Sequence, residues 1–452
     1  MEAVTKLYHE HPRTVLFSAA ATLRLALPLA FPALPDLLSA RVEISTPVNS
    51  FKRLHEGIFL FEHGLDPYDG GIFHQAPLLL PLFSLLPAST SVLGRLASIL
   101  LFTILDVLSA DCLHAIAASG TATVSSVFSS PRKTQAWQPL TVAAVYLLNP
   151  FTILTCLGRP TTVFTTFFTL LSIRHATEGK LQTSAFALAI ASYLSLHPAL
   201  LLPPIGLLCY DQLCKSREPV NDTDGLKSPM KHASSQTDRP KVLDFGIRFF
   251  SCFLLTAALL LALSRVLLPS FAFLPSVYLT PLRVPDLTPN PGLWWYFFIE
   301  MFDPFRSFFL GVFWLHMLSY SVPFCLRMRK QPLAAVVSML GITAIFQPYA
   351  NVGEAGAWLS CLTLLSHTFE VSSTHRYTFP AVAVLLYTSL LGPAFHHLWL
   401  YAGSGNANFF YAITLVWNLA LLIILTDTVY SVLRDEWEAE RPEGKGKEVR
   451  QI

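Results

Sequence analysis

Residues 409–433 read FFYAITLVWNLALLIILTDTVYSVL, an apolar run holding one formal charge, Asp427. A helix needs about 20 mostly apolar residues to cross a bilayer, so this stretch predicts a membrane span. Comparable runs recur back along the chain without a long soluble gap. They fall near 14–38 (interrupted by Arg24), 77–86, 93–116, 140–157, 161–173, 183–209, 245–268, 305–326, 333–348, 355–365 and 377–391. The expected fold is an all-α, polytopic transmembrane helical bundle of about twelve spans. Several runs are short, which allows re-entrant or half-helices. Composition agrees: of 452 residues, 53% are hydrophobic and 13% charged, against a usual charged share of about 25%. A disordered chain is excluded by the hydrophobicity, and a disulfide scaffold by only seven Cys. The net charge of +2 gives no reason to expect a nucleic-acid partner.

Lys and Arg set the expected orientation, because they accumulate on the cytosolic side. They concentrate in the leader (Lys6, Arg13), in 215–241 (Lys215, Arg217, Lys227, Lys231, Arg239, Lys241), in 327–330 and after residue 433. All four groups share one side if six spans precede the long loop and six follow it. The first span lacks a small-residue cleavage site and reads as a retained signal anchor. The expected organisation is then a cytosolic lead and first span (1–40) and a luminal amphipathic-helix loop (41–76). The first half of the bundle follows (77–214), then a disordered cytosolic loop (215–244) and the second half (245–433), with luminal loops at 269–304 and 394–408. A cytosolic tail (434–452) ends the chain. Asn221-Asp222-Thr223 in the long loop matches a glycosylation acceptor but is expected to stay unmodified on the cytosolic side.

The luminal segments concentrate unusual polarity. Within 41–80, Phe51, Leu54, Ile58 and Phe61 fall at helical spacing, with Lys52, Arg53, Glu56 and Glu62 mostly elsewhere. This is the pattern of an amphipathic helix on the membrane interface. A Gly, Asp and Pro turn cluster with Tyr68 follows, then His74 before the second run. The segment 284–309 breaks any helix with Pro285, Pro289, Pro291 and Gly292, then turns aromatic at Trp294, Trp295, Tyr296, Phe297 and Phe298. That run reads either as an interfacial belt or as a lipid-contacting wall, with Asp286, Asn290 and Glu300 offering polar contacts. The third segment bends at Gly403-Ser404-Gly405 and continues with Asn406, Asn408, Phe409, Phe410 and Tyr411. One Asn can serve as a helix cap. Two amides beside a bend with exposed N–H groups also suit sugar or phosphate oxygens.

The first of these segments resembles the first luminal loop of GT-C-type lipid-sugar mannosyltransferases through Pro67-Tyr68 and Ala76-Pro77-Leu78-Leu79. Their acidic motif is not matched: the corresponding positions read Arg41-Val42-Glu43-Ile44-Ser45. In order, TPVNSFKRLHEG (46–57), LDPYDGGIFHQAPLL (65–79), YLLNPFTILTC (146–156), VPDLTPNPGLWWYFFIEMF (284–302) and HLWLYAGSGNANFFYAIT (397–414) resemble the PIG-U family. That family is a membrane subunit of the glycosylphosphatidylinositol (GPI) transamidase. The resemblance implies a GT-C-like scaffold in the endoplasmic reticulum membrane that recognises the GPI glycolipid among other membrane lipids. A partner with a cysteine-protease-like fold cleaves the protein substrate. It also assigns GPI contact to Asn406 and Asn408.

A transamidase nucleophile needs a Cys with a His in reach. No Cys falls in the three expected luminal loops, so the chain is expected to be non-catalytic. No H-E-x-x-H or C-x-x-C pattern occurs, and neither a metal nor a cofactor is expected. Adjacent His396 and His397 point to different faces of a helix and read as structural or interfacial rather than as metal ligands. Asp106, Asp111, Arg24 and Arg265 lie in or beside spans and read as helix-pairing groups. Two other functions stay in view. One is an active GT-C polyprenol-phosphate-dependent mannosyltransferase with Glu43 or Asp66 as base. The other is a transporter, for which paired midplane charges and inverted repeats are not evident.

Overall fold

The computed structural model describes residues 10–87, 91–217, 240–445 and 447. The centre of the expected cytosolic loop and the Asn221 acceptor lie outside the described residues. Among the described residues the chain is all-α, with an isolated bridge between Val124 and Ser129 in place of any strand. In chain order the helices that matter here are α1 (Pro12–Ala30), α2 (Leu34–Ser39), α3 (Phe51–Glu62), α4 (Leu79–Ser84) and α5 (Val92–Ala118). Next come α6 (Pro139–Leu148), α7 (Pro150–Gly158), α8 (Thr162–Thr177), α9 (Leu181–Leu194), α10 (Leu202–Ser216) and α11 (Val242–Leu267). The chain ends through α12 (Trp294–Ile299), α13 (Asp303–Arg327), α14 (Pro332–Phe346), α15 (Val352–Cys361), α16 (Thr378–Leu400) and α17 (Ala407–Glu440).

Six of these, α1, α5, α11, α13, α16 and α17, are long and apolar enough to cross a membrane. Counting the bent pair α6–α7 as one span makes seven. Helix length and apolarity alone therefore do not reach the expected twelve or so spans, because the other apolar runs form shorter or broken helices, for physical reasons that differ by site. The run 77–86 holds Pro77 and Pro81 and is followed by Pro87, and only the six-residue α4 forms there. The run 140–157 is broken by 55° between α6 and α7, where Pro150 supplies no N–H and Asn149 Oδ1 accepts from Phe151 N at 2.9 Å. The run 183–209 splits into α9 and α10 at a 3₁₀ turn, His197–Leu201. The short α14 buries Pro332, Leu333, Ala335, Val336, Met339 and most of its other residues against neighbouring helices. Short helices tolerate membrane depth when protein surrounds them.

Contacts sort the connections into two ends. At one, called the loop end, Leu78 N donates to Tyr193 Oη (3.0 Å), which bonds Ser264 Oγ (2.6 Å). At the other, the tail end, Ser125 Oγ donates to Lys330 O (2.7 Å) and Arg132 pairs with Asp435 (2.9 Å). α1 and α5 run antiparallel, tied by Arg24–Asp106 at 2.6 Å and by Arg13–Asp111. Val92 therefore lies at the same end as the 41–76 loop, and 77–86 does not traverse the bundle.

Small residues let helices approach where lipid offers no hydrophobic drive for association. A Cβ on Gly356 would stand 2.6 Å from Phe151 Cβ, and one on Gly341 2.7 Å from the Trp358 ring. The amphipathic helix forms as expected. α3 buries Phe51, Leu54 and Gly57 on an aromatic cluster in which Phe51 meets Phe102 edge-on at 5.7 Å.

Candidate lipid-contacting site

The three segments expected to be luminal converge at the loop end, and two layers form there. The lower layer holds the loops together. Asp286 accepts from Arg53 Nη2 on α3 (2.8 Å) and from Thr288 N (3.0 Å). Burial opposes its ionisation, yet the bonds from Thr288 and Arg53 keep the carboxyl below its ordinary range. His74 Nδ1 meets Ser276 Oγ at 2.9 Å, and burial, with Arg53 nearby, pulls the imidazole below its ordinary value. Tyr68 Oη donates to Gln75 O at 2.6 Å. Asn290 is fully buried; its Nδ2 donates to Thr288 O and its Oδ1 accepts from Gly292 N. Trp294 Nε1 donates to Phe346 O at 2.6 Å. These five side chains direct their polar atoms into the protein and act as a scaffold.

The upper layer faces outward. Trp295 is buried among Trp399, Phe410 and Tyr411, with ring centroids 5.7–6.3 Å apart. Its Nε1 has no hydrogen-bond partner among the described residues. Tyr296 stacks on Tyr411 at 4.6 Å, and its hydroxyl donates to Asn408 Oδ1. Tyr411 Oη donates to Leu293 O at 3.0 Å. Glu300 is exposed beside Tyr296, and the half-exposed Phe409 stacks on Phe395. The two Asn divide the roles left open by the sequence. Asn406 Oδ1 caps α17, accepting from Asn408 N (3.0 Å) and Phe409 N (3.4 Å). The exposed Asn408 side chain meets Tyr296 instead.

Beside this wall lies an apolar cavity of about 270 Å³ between α2, α16 and α17, lined by Leu38, Gly392, Phe410, Ile413 and Trp417 among others. Arg41 and Glu43 stand on its border, joined by two bonds of 3.0 and 3.2 Å. Phe410 belongs to both wall and cavity. Sequence reasoning did not place this cavity, and it read Glu43 as the mismatch to an acidic motif or as the base of the mannosyltransferase alternative. The Arg-x-Glu spacing was a signal for a local ion pair. His396, read as structural or interfacial, is 4% exposed, and neither ring nitrogen has a partner among the described residues. Among the described residues, no group of three His, Cys, Asp or Glu is placed to hold a metal.

An all-α chain with this many long apolar helices is a polytopic membrane protein. The model of the family described as "PIG-U: GPI transamidase subunit PIG-U" matches residues 18–417, and the chain belongs to that family. A Homo sapiens protein named "GPI-anchor transamidase component PIGU" is 33% identical over 443 residues, covering 94% of each chain. A Saccharomyces cerevisiae protein named "GPI transamidase component GAB1" is 34% identical over 427 residues, covering 94% of this chain and 95% of its own. The Schizosaccharomyces pombe "GPI transamidase component GAB1 homolog" is 30% identical over 421 residues. The mannosyltransferase alternative finds no support: none of these names is a glycosyltransferase, and Arg41 engages both oxygens of Glu43.

Proposed function

We propose that this chain is a non-catalytic subunit of the GPI transamidase, placed in the endoplasmic reticulum membrane. It holds the GPI glycolipid at the loop end, on the luminal side, and presents it to a cysteine-protease-like catalytic partner. The observation that carries the reading is the juxtaposition at α17. Exposed Asn408 and half-buried Tyr296 offer hydrogen-bonding groups to a glycan or phosphate, beside an apolar cavity suited to acyl chains. The GT-C-like resemblance of the first loop fits a scaffold that keeps a lipid-sugar site without the carboxylate chemistry. Asp286, Asn290, Trp294, Tyr68 and His74 belong to the support of this site rather than its contact surface.

Cells lacking their own copy and carrying Asn408→Ala with Tyr296→Phe should show at least a several-fold loss of surface GPI-anchored proteins, with the complex still assembled. Asn406→Ala should instead lower thermal stability, by about 1 kcal/mol for a lost cap. Unchanged surface levels in the Asn408 and Tyr296 variant would sink the site assignment.

A further inference from the structure

A second loop-end cavity, of about 140 Å³, opens where α1 ends and α5 begins, on the other side of α2 from the first. Arg159 reaches it from the end of α7, in a left-handed backbone conformation (φ 58°). Its side chain is 5% exposed as a residue and lies over the Phe51 ring at 4.4 Å. Nη2 donates to Asp36 at 3.1 Å, while Nε is buried without a partner among the described residues. Arg95, one turn into α5, lines the same cavity from the exposed side, close enough for the two guanidinium charges to oppose each other. Asp36 is the carboxylate beside them, with its side chain 73% exposed.

Like charges facing one cavity are costly unless an anion joins them. The position of Arg95 points the same way. A cation in the first turn of a helix works against the macrodipole, and the first turn of α5 holds no acidic residue. The remaining lining is apolar, including Pro28, Leu29, Leu96 and Ile99, and Leu29 and Leu96 face outward. α1 and α5 are both long and apolar enough to span a membrane. The cavity therefore sits at the depth where a phosphate layer meets the acyl region.

We propose that this cavity binds the phosphate of a membrane phospholipid, with Arg159 and Arg95 on the phosphate oxygens and an acyl chain along Leu29, Leu96 and Ile99. Arg159 is the buried, oriented ligand, and Arg95 closes the site from outside. The site is separate from the Asn408 wall and stands or falls independently of it.

The test uses the full chain in detergent, titrated with phosphatidic acid, with diacylglycerol of the same acyl chains, and with inorganic phosphate. Bound species are resolved by native mass spectrometry. Arg159→Ala risks the fold, so exposed Arg95 carries the test. Arg95→Ala should weaken phosphatidic acid binding by about tenfold, the scale of one charge-assisted hydrogen bond. Arg95→Lys should recover part of it, and Arg329→Ala, at the tail end, should change nothing. Equal binding by wild type and Arg95→Ala overturns the site. Diacylglycerol binding as tightly as phosphatidic acid removes the phosphate from it, and inorganic phosphate binding as tightly makes it a free-anion site rather than a lipid one.

Discussion

His74 shows how a single residue can make the loop end sensitive to pH. It ties the first loop to the third through Ser276. Burial lowers its affinity for a proton below the ordinary value of 6.5, and Arg53 adds to the effect. His55 on α3 is lowered in the same way, by burial first and then by Arg159. A histidine that resists protonation when folded contributes its stability in full above 6.5. That contribution declines as the pH falls below 6.5 and is gone once the pH passes the folded value. Asp286 behaves differently: its depressed value keeps it ionised until well into the acid range. Amide exchange in 72–76 and 274–280, corrected for intrinsic rates, should therefore quicken between about pH 7.5 and about pH 5.5. His74→Asn combined with His55→Gln should flatten that dependence. A wild-type protein whose protection does not change over the interval would rule the histidines out. The aromatic wall and the Asn pair were legible in sequence because Trp-Trp-Tyr and Asn-x-Asn are rare and contiguous. The Arg41–Glu43 border and the unpartnered His396 were not, because their meaning depends on which helices stand beside them.

At the scale of elements, α7 and α15 illustrate why several of the expected spans are built from short or broken helices. Asn149 turns the chain at the α6–α7 break and reaches across, Nδ2 donating to Gly356 O (3.0 Å) and Ser360 Oγ (3.1 Å). Gly353 and Gly356 then let α15 close on Thr155 and Phe151. Hydropathy sees one apolar run at 140–157, because a break made by Pro and a hydrogen-bonded Asn carries no charge. The same blindness merged α9 with α10 and promoted the proline-rich 77–86 to a span. The amphipathic α3 was legible because its apolar residues keep a helical period against charged neighbours. Gly356→Ala should force its Cβ against Phe151 Cβ and destabilise the protein by about 1–3 kcal/mol, the usual range for overpacking. Gly246→Ala, with nothing within 4 Å of its added Cβ, is the matched control. Thermal unfolding in detergent compares the two, and equal midpoints would mean the α7–α15 contact is not close-packed.

Across the whole molecule, the two ends differ in kind, and the difference sets an orientation. The tail end is an ion network: Arg132 with Asp435 and Glu438, Arg434 with Glu438, and Arg327 and Lys330 with Glu436. The loop end presents aromatic rings and amides, and its ion pairs, Arg41–Glu43, Arg53–Asp286 and Arg159–Asp36, stand apart from one another. Between them, Arg24 and Asp106 pair where both are almost fully buried, and Tyr146 Oη donates to Asp106 at 2.9 Å. This fixes α1 against α5 in antiparallel register and places residue 92 beside the first loop. The outward helices α11 and α13 bury only 11% of their most apolar windows, against 50% for α5. The ends therefore belong to opposite aqueous sides, with an apolar girdle between them. A membrane-impermeant maleimide on a Cys-free background should label Ser404→Cys and Asp69→Cys from one side of sealed microsomes, and Arg329→Cys from the other. Positive residues favour the cytosol, so Arg329→Cys should react in intact vesicles, while Ser404→Cys and Asp69→Cys should react only after permeabilisation. Reaction of Asp69→Cys and Ser404→Cys from opposite sides would restore 77–86 as a crossing and break the antiparallel register. Reaction of all three from the cytosolic side would remove the loop end from the lumen, and with it the proposed meeting of lipid and catalytic partner there.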